Sequence, residues 1–449
     1  MPDRGINGTT RWGNYFEEDK GMKLAFQPSG TISNLLSAFY AGSELWWEHI
    51  AALGTPLVEA RPEHQVQLTF FWRDPAGSEQ NSDIRRVYID INGITDHHSP
   101  QPQSLQRLPE SDIWYWSVTI DDDWRGSYSL IPATHAYLPP NFYGDTQQRN
   151  QQQREWWCSL FPLSIPDPLN LQGCHRNGLG MSLSAAHMPH APEQSAWVSI
   201  GRNSLAQSDT QQPILLNWQS HRLGNQRRIW LYATGEETER PRPLVILLDG
   251  QNWAERTPVF SALEAATEQQ HIPGAVWLLI DVIDMSRREQ ELPCNRDFWL
   301  AVQDELLPLA AQHATFSDSP SNTVVAGQSY GGLAALYAAL HWPQRFGCVL
   351  TQSGSFWWPY SKMMKSSERQ IGWLTQQVIE QKVTPSSLKI FQEAGSREDD
   401  IEGVNQQMYE ALKNAGYHVS YRVFNGGHDS LCWRGGLIDG LSWLLSENA

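Results

Sequence analysis

Hydrophobic and polar positions change rhythm about half-way along the chain. In the first half, apolar residues alternate with period two in three short runs: Val66, Leu68, Phe70 and Trp72; Val87, Ile89 and Ile91; then Trp114, Trp116, Val118 and Ile120. A fourth run, Ser127 to Ile131, follows Trp124-Arg125-Gly126, and turn-rich stretches (DPAGSEQNSD, NGITDHHSPQPQ) separate the runs. Strict alternation marks strands with one buried face, and several in succession predict an all-β sandwich of immunoglobulin-like type. Ahead of them, Leu35, Leu36, Phe39 and Tyr40 recur at helical spacing and predict a helix over 32–52, anchored by Trp46 and Trp47. Residues 1–30 are polar and Gly-rich. Residues 139–155 are Gln-rich and flanked by Pro, which predicts a mobile loop, and residues 158–212, with little periodicity, predict an irregular crossing between domains. The boundary is set near 205, giving domains 1–205 and 206–449.

The second half opens with ILLNWQ and RRIWLYAT, a hairpin turning around His221–Asn225. Unbroken apolar runs then alternate with helical patterns: PLVILLDG, AVWLLID, TVVAGQS, CVLTQSG, KIFQEAG and VSYRVFNGG. Strands that are apolar on both faces and separated by helices predict a largely parallel sheet covered on each side, the α/β class.

Composition narrows the field. The chain has 449 residues with a formal charge of −16, which argues against nucleic-acid or anionic-membrane partners. No stretch approaches the ~18 uncharged apolar residues of a membrane span, and the N-terminus has no apolar core of a secretory signal. Five cysteines, widely spaced and without a CxxC pair, read as free thiols in a reducing compartment, the cytoplasm by default. Cys174-His175 lacks a second ligand pair nearby, so neither a metal nor an organic cofactor is expected. The 21 Trp are packing material and also flat platforms for aromatic or cationic ligands.

The chemistry concentrates at Gly327-Gln328-Ser329-Tyr330-Gly331-Gly332, between the strand TVVA and a helical pattern (Leu333, Leu336, Leu340) ending at Pro343. A G-x-S-x-G in that context is a nucleophile elbow, which predicts an α/β-hydrolase with Ser329 as nucleophile. The Tyr330 N–H, at the helix start, points where an oxyanion forms, and the Gln251 N–H in the loop after the third strand is the second donor. A serine hydroxyl needs a base. Chain order in this fold is serine, acid, histidine, and His428 in Asn425-Gly426-Gly427-His428-Asp429 follows the last strand. The loop after KIFQEAG offers Glu398, Asp399 and Asp400 as the acid, and spacing alone does not choose. Cys432, near His428 in sequence, has no elbow and reads as a packed thiol.

These residues resemble the enterochelin (enterobactin) esterases. The likeness runs over about 43–445 through GSELWW, FFWRDPAGSE, GITDHH, QPQSLQRLP and WRGSYSLIP, then VILLDGQNWA, ELPCNRDFWLAVQDELLPL, TVVAGQSYGGLAALYAALHWPQRFGCVLTQSGSFWWP and GGHDSLCWRGGL. The resemblance implies a cytoplasmic hydrolase that cuts the tri-serine trilactone of ferric enterobactin so that iron is released, with iron carried only by the substrate. It implies that the N-terminal β-domain helps form the substrate site, that Ser329 and His428 act in catalysis, and that the acid is Glu398, three residues after the Gly of EAGSRE. An Arg-rich segment, IDVIDMSRREQEL, makes Arg288 and Arg287 candidates for the anionic catecholates. A ferric tris-catecholate is aromatic and anionic, so Trp253, Trp357, Trp358, Trp433 and Arg434 join them near the expected mouth. Trp357 and Trp358 read equally as core, and a solvated charge at the start of the last helix is the alternative for Arg434. The polar N-terminal segment and the Gln-rich 147–153 depart from the family's pattern. Two other readings stay open: an esterase or acyl transferase for another ester, such as a feruloylated sugar, and a non-catalytic protein that sequesters the ferric complex.

Overall fold

The computed structural model describes residues 32–178, 180–198, 212–257, 259–360, 370–383 and 387–446. The boundary expected at 205 lies outside the described residues.

Eight antiparallel strands form the first sheet: β1 (Leu57–Arg61), β2 (Gln65–Arg73), β3 (Ile84–Ile91), β4 (Ser104–Arg107), β5 (Ile113–Asp121), β6 (Arg125–Thr134), β7 (Cys174–Arg176) and β8 (Ser182–His187). Their order is β1-β2-β5-β4-β3-β6-β8-β7. The alternation seen in the sequence sets which face is inside. Val66, Leu68, Phe70 and Trp72 of β2 meet Val87, Ile89 and Ile91 of β3 and Leu130 of β6 in one core. The opposite faces are not left to water. Phe71 and Ile113 pack under Trp46, Trp47 and Ile50 of the helix Glu44–Leu53. Tyr88, Ile131 and Ala133 pack under Trp156 and Trp157 of the helix Thr146–Ser159.

Three expectations change here. The single helix over 32–52 is two, Ile32–Leu36 and Glu44–Leu53. Gly42 takes a positive φ of 82° in the turn between them, and Ser43 caps the second by accepting from the Trp46 N–H. Phe39, read as part of the helical stripe, is fully exposed. The Gln-rich stretch is not a mobile loop but most of the helix Thr146–Ser159. Asp145 and Gln148 close a reciprocal capping box at its start, and Gln153 Nε2 donates to the His97 and Ser99 carbonyls. The crossing 158–212 is not wholly irregular, since it supplies β7, β8 and the helical turn Ser195–Val198.

The second sheet also has eight strands: β9 (Ile214–Ser220), β10 (Asn225–Ala233), β11 (Leu244–Leu247), β12 (Val276–Ile280), β13 (Thr323–Gln328), β14 (Cys348–Gln352), β15 (Lys389–Gly395) and β16 (His418–Phe424). The order is β16-β15-β14-β13-β11-β12-β10-β9, with β11 to β16 parallel and the β9–β10 hairpin antiparallel at one edge. Both faces are covered, which explains the unbroken apolar runs. Leu244, Ile246 and Val325 face the helices Tyr330–His341 and Asp400–Asn414, while Val245, Leu247 and Val324 face Phe260–Glu268 and Ser430–Leu445. Because β11 to β16 run the same way, the loops after them gather at one edge. Ser329, Glu398 and His428 all lie on those loops.

Candidate active site

Ser329 sits between β13 and the helix Tyr330–His341 with φ 58° and ψ −120°. A left-handed backbone at a non-glycine residue costs on the order of 1–3 kcal/mol, a strain held by the surrounding sheet. Gly327 has no substitute there, since a Cβ would overlap the Gly331 backbone. The Ser329 N–H donates to the Gln352 carbonyl at 3.0 Å, and its carbonyl accepts from Leu333 and Ser355. The Ser329 hydroxyl lies 3.3 Å from that of Ser355. Tyr330 opens its helix, so its N–H has no intrahelical acceptor. Gln251 precedes the helical turn Asn252–Arg256, and its side-chain carbonyl accepts from the Val282 N–H at 3.3 Å.

On the neighbouring loops, His428 Nδ1 is 3.2 Å from Glu398 Oε2. Of the three acidic residues offered by the sequence, Glu398 is the one turned to the imidazole, and Asp399 and Asp400 lead into the helix Asp400–Asn414. The Glu398 carboxylate is fully buried. Its other oxygen accepts from Ser353 Oγ at 2.6 Å and from the Gly395 N–H at 3.1 Å. Ser353 Oγ in turn accepts from Trp433 Nε1 at 2.9 Å, and the Trp433 ring stands edge-on to the imidazole, 4.6 Å away. An acid held by two donors and an imidazole held by that acid is the orienting half of a Ser-His-acid arrangement. The other half is open in this conformation, because the Ser329 hydroxyl bonds to Ser355 rather than to His428. Contacts of this kind commonly tighten only when substrate is bound. Cys432 is no competitor. Burial pushes its thiol well above the ordinary range, and it donates to the Arg125 carbonyl.

Under this edge runs a row of polar side chains, one per strand, the first three buried and the fourth partly exposed. Gln328, Gln352, Glu393 and Arg422 are register partners across β13 to β16. Gln328 Nε2 donates to Gln352 Oε1 at 2.7 Å, Gln352 Nε2 to Glu393 Oε1, and Arg422 Nε to Glu393 Oε2 at 2.7 Å. Burial raises the Glu393 pKa, with Arg422 opposing the shift.

Residues 67–197 match the family model "Enterochelin esterase, N-terminal", and 220–444 match an esterase model. The iron(III) enterobactin esterase of Dickeya dadantii (strain 3937) is 59% identical over 427 residues, covering 94% of this chain and 97% of the relative. The chain belongs to the enterochelin esterase family. Among solved structures, ferric enterobactin esterase from Salmonella typhimurium superposes with a TM-score of 0.81 at 45% identity, covering 90% of this chain and 98% of that one. The enterobactin esterase of Shigella flexneri, crystallised in the presence of enterobactin, gives 0.76 at 44% identity over the same shares.

Within this enterochelin esterase the side chains expected at the mouth divide. Arg288 is committed: Nε and Nη2 grip Asp249 at 2.6 and 2.8 Å, and Nη2 also reaches the Gln328 carbonyl at 3.4 Å. Burial disfavours its charge, and Asp249 more than offsets that, so its pKa rises. The pair ties the Gln251 loop to the elbow strand. Trp253 is core, its indole N–H donating to Gln328 Oε1 at 3.0 Å. Arg434 is neither at the mouth nor solvated. Its Nε donates to Gln194 Oε1 at 2.6 Å, it lies over the Trp197 ring, and burial drives its pKa down to about 10. Trp357 is buried with its ring 5.5 Å from that of Tyr330, and half-buried Trp358 packs on Trp373. Arg287 is exposed, and Trp433 stays beside His428.

Sequence reasoning missed Ser353 and Ser355, the polar row, and the Asp249 partner of Arg288. Only the two serines had a signal, their position directly after an apolar strand, where a parallel sheet presents its loops.

Proposed function

We propose that this chain hydrolyses the tri-serine trilactone of ferric enterobactin by acyl-enzyme chemistry at Ser329. The observation that carries the reading is the His428 imidazole, tethered at Nδ1 by buried Glu398 on the same sheet edge that holds Ser329 at a left-handed φ. Nδ1 held by a carboxylate leaves Nε2 as the proton acceptor. In the first step the Ser329 hydroxyl exchanges Ser355 for Nε2, gives up its proton, and attacks a lactone carbonyl carbon. The oxyanion accepts from the Tyr330 and Gln251 N–H groups. Collapse breaks the ester C–O bond, and the departing serine oxygen takes the proton from His428. Water, deprotonated by His428, then attacks the acyl-enzyme, and the proton returns to Ser329 Oγ. Only protons move besides the acyl group, so the reaction calls for no cofactor, and iron enters as part of the substrate.

Substrate contacts are assigned to exposed Arg287 for the anionic catecholates, with the half-buried rings of Trp433 and Trp358 as flat partners. Arg288 is assigned to holding the oxyanion loop. A feruloyl ester and pure sequestration are not favoured, because relatives 59% and 44% identical over nine-tenths or more of this chain are named iron(III) enterobactin esterases. The test pairs turnover of enterobactin and of feruloyl esters with organophosphonate labelling of Ser329. Preference for the feruloyl ester, or an unreactive Ser329, would sink the proposal.

We also read the chain as two domains divided near 205, the first an immunoglobulin-like sandwich. Its order β1-β2-β5-β4 beside β3-β6-β8 is that of the constant-type ABED and CFG sheets, with β7 added. Among the described residues no helix is long and apolar enough to cross a membrane, and all five cysteines are unpaired. The thiols favour a reducing compartment, and we assign the cytoplasm.

A further inference from the structure

The loop that carries His428 is gripped from outside its own sheet. Asn92, just after β3, donates from Nδ2 to the His428 carbonyl at 3.1 Å. The next residue, Asp429, receives the Ser127 N–H at 2.6 Å on one carboxylate oxygen and the Ser127 hydroxyl at 2.8 Å on the other. Asp429 also caps the helix Ser430–Leu445, accepting from Leu431 N–H at 2.9 Å. At the start of the loop, the Arg125 N–H donates to the Asn425 carbonyl, and the Asn425 amide donates to Asp121 and Asp123. His175 of β7 backs this grip, its Nε2 lying 2.9 Å from Ser127 Oγ. With that hydroxyl proton given to Asp429, Nε2 carries the hydrogen between them.

The loop needs such a grip. Gly426 and Gly427 precede His428 and supply no stiffness of their own. The imidazole is 38% exposed, and its bond to Glu398 is long. Packing alone therefore does not fix it. Ser127 and Asp429 are both buried, at 1% and 4% exposure, so bonds between them compete little with water.

We propose that Ser127 and Asn92 of the N-terminal sheet are positioning residues for His428, acting through the Asp429 carboxylate and the His428 carbonyl. The inference rests on the reading of His428 as the base. It assigns the N-terminal sheet a part in the chemical step, separate from any contact with substrate. A shift of about 1 Å in a reacting group costs on the order of 10²-fold in rate.

The test uses the full chain with Ser127→Ala and Asn92→Ala. Each is followed by kcat and KM on the trilactone and by the labelling rate of Ser329 with a small organophosphonate, which does not use the catecholate contacts. The expected result is a fall in kcat and in labelling rate together, on the order of tenfold or more in Ser127→Ala and less in Asn92→Ala, with KM within about twofold. A raised KM with unchanged kcat and labelling would assign these residues to binding and overturn the proposal. Unchanged values in all three would overturn it as well. If Ser127→Ala does not fold, Asn92→Ala, at a partly exposed turn, still decides. A wild-type chain that hydrolyses trilactone yet resists labelling would instead remove the nucleophile reading beneath the proposal.

Discussion

Both sheets have eight strands, yet they treat their strand ends in opposite ways. In the parallel sheet the loops after β11, β12, β13, β14 and β15 each contain a non-glycine residue with positive φ: Asp249, Ile283, Ser329, Ser353 and Asp399. Strain is concentrated along one edge, and the candidate site occupies that edge. In the antiparallel sheet the corresponding residues fall in two turns, Glu63 and His64 together between β1 and β2 and Glu110 between β4 and β5. Neighbouring antiparallel strands end on opposite sides, so the sheet's turns divide between two rims instead of gathering at one. What it offers instead is a hold, through Ser127 of β6 and Asn92 in the turn after β3, on the His428 loop. One fold therefore places reacting groups, and the other limits their movement.

The sharpest way to break this division is at the parallel edge. Ser329→Ala should lower trilactone turnover on the order of 10⁴-fold or more while circular dichroism and melting stay unchanged. Retained turnover would mean that the elbow is not where the ester is cut. Glu398→Gln should cost on the order of 10³- to 10⁴-fold in kcat, because an amide favours the wrong imidazole tautomer. A loss confined to KM would contradict that. On the antiparallel side, away from Ser127 and Asn92, the effect should be on stability. Trp157→Ala removes a side chain that is 3% exposed and should cost about 3 kcal/mol in denaturant titration. kcat should be nearly unchanged in conditions where the variant is folded, and a large drop would blur the division.

The smallest effect is set by pH. Burial pushes His175 below its ordinary value and His187 well below, and the Arg125 charge lowers His187 further. Their folded pKa values are depressed, so below about pH 6.5 the unfolded chain takes up protons that the folded chain does not. Stability is full above that pH and falls as acid is added, by up to about 1.4 kcal/mol per pH unit for each histidine. Melting measured at about pH 7.5 and about pH 5.5 should show a smaller difference in His187→Gln than in wild type. An equal difference would exclude His187 as a source.

The parallel strands were legible because both of their faces are buried and their sequences are apolar without interruption. β2, β3, β5 and β6 were legible from alternation. β4 and β7 have four and three residues, too few to show a period. The helix Thr146–Ser159 was hidden by composition, since its inward face is little more than Gln153, Trp156 and Trp157 and the rest is polar surface. Its Asp145 and Gln148 cap was the signal available. At the site, strand–turn–helix context located Ser329, and family likeness pointed to Glu398, the residue found against His428. Arg434 shows where proximity in sequence misleads. It follows Trp433, but one helical step of about 100° turns it away, toward Gln194 and Trp197. The Asp249 partner of Arg288 was not legible, because it lies 39 positions away on a left-handed turn that leaves no mark in the pattern.

The polar row Gln328-Gln352-Glu393-Arg422 works as a vernier for the sheet. Oily strands of Val, Ile and Leu slide past one another at little cost, since one branched side chain fills a gap much as another does. Amides and a carboxylate do not. If any one strand slipped by a residue, its rung would swing to the other face and strand its neighbours in a dry interior without partners. Gln352 also donates to the Trp433 carbonyl, so the same scale is read by the segment just beyond His428. The heights at which nucleophile, acid and base leave the sheet are thus calibrated from below, and a chain that lost the row would keep its shape while its working groups drifted out of alignment.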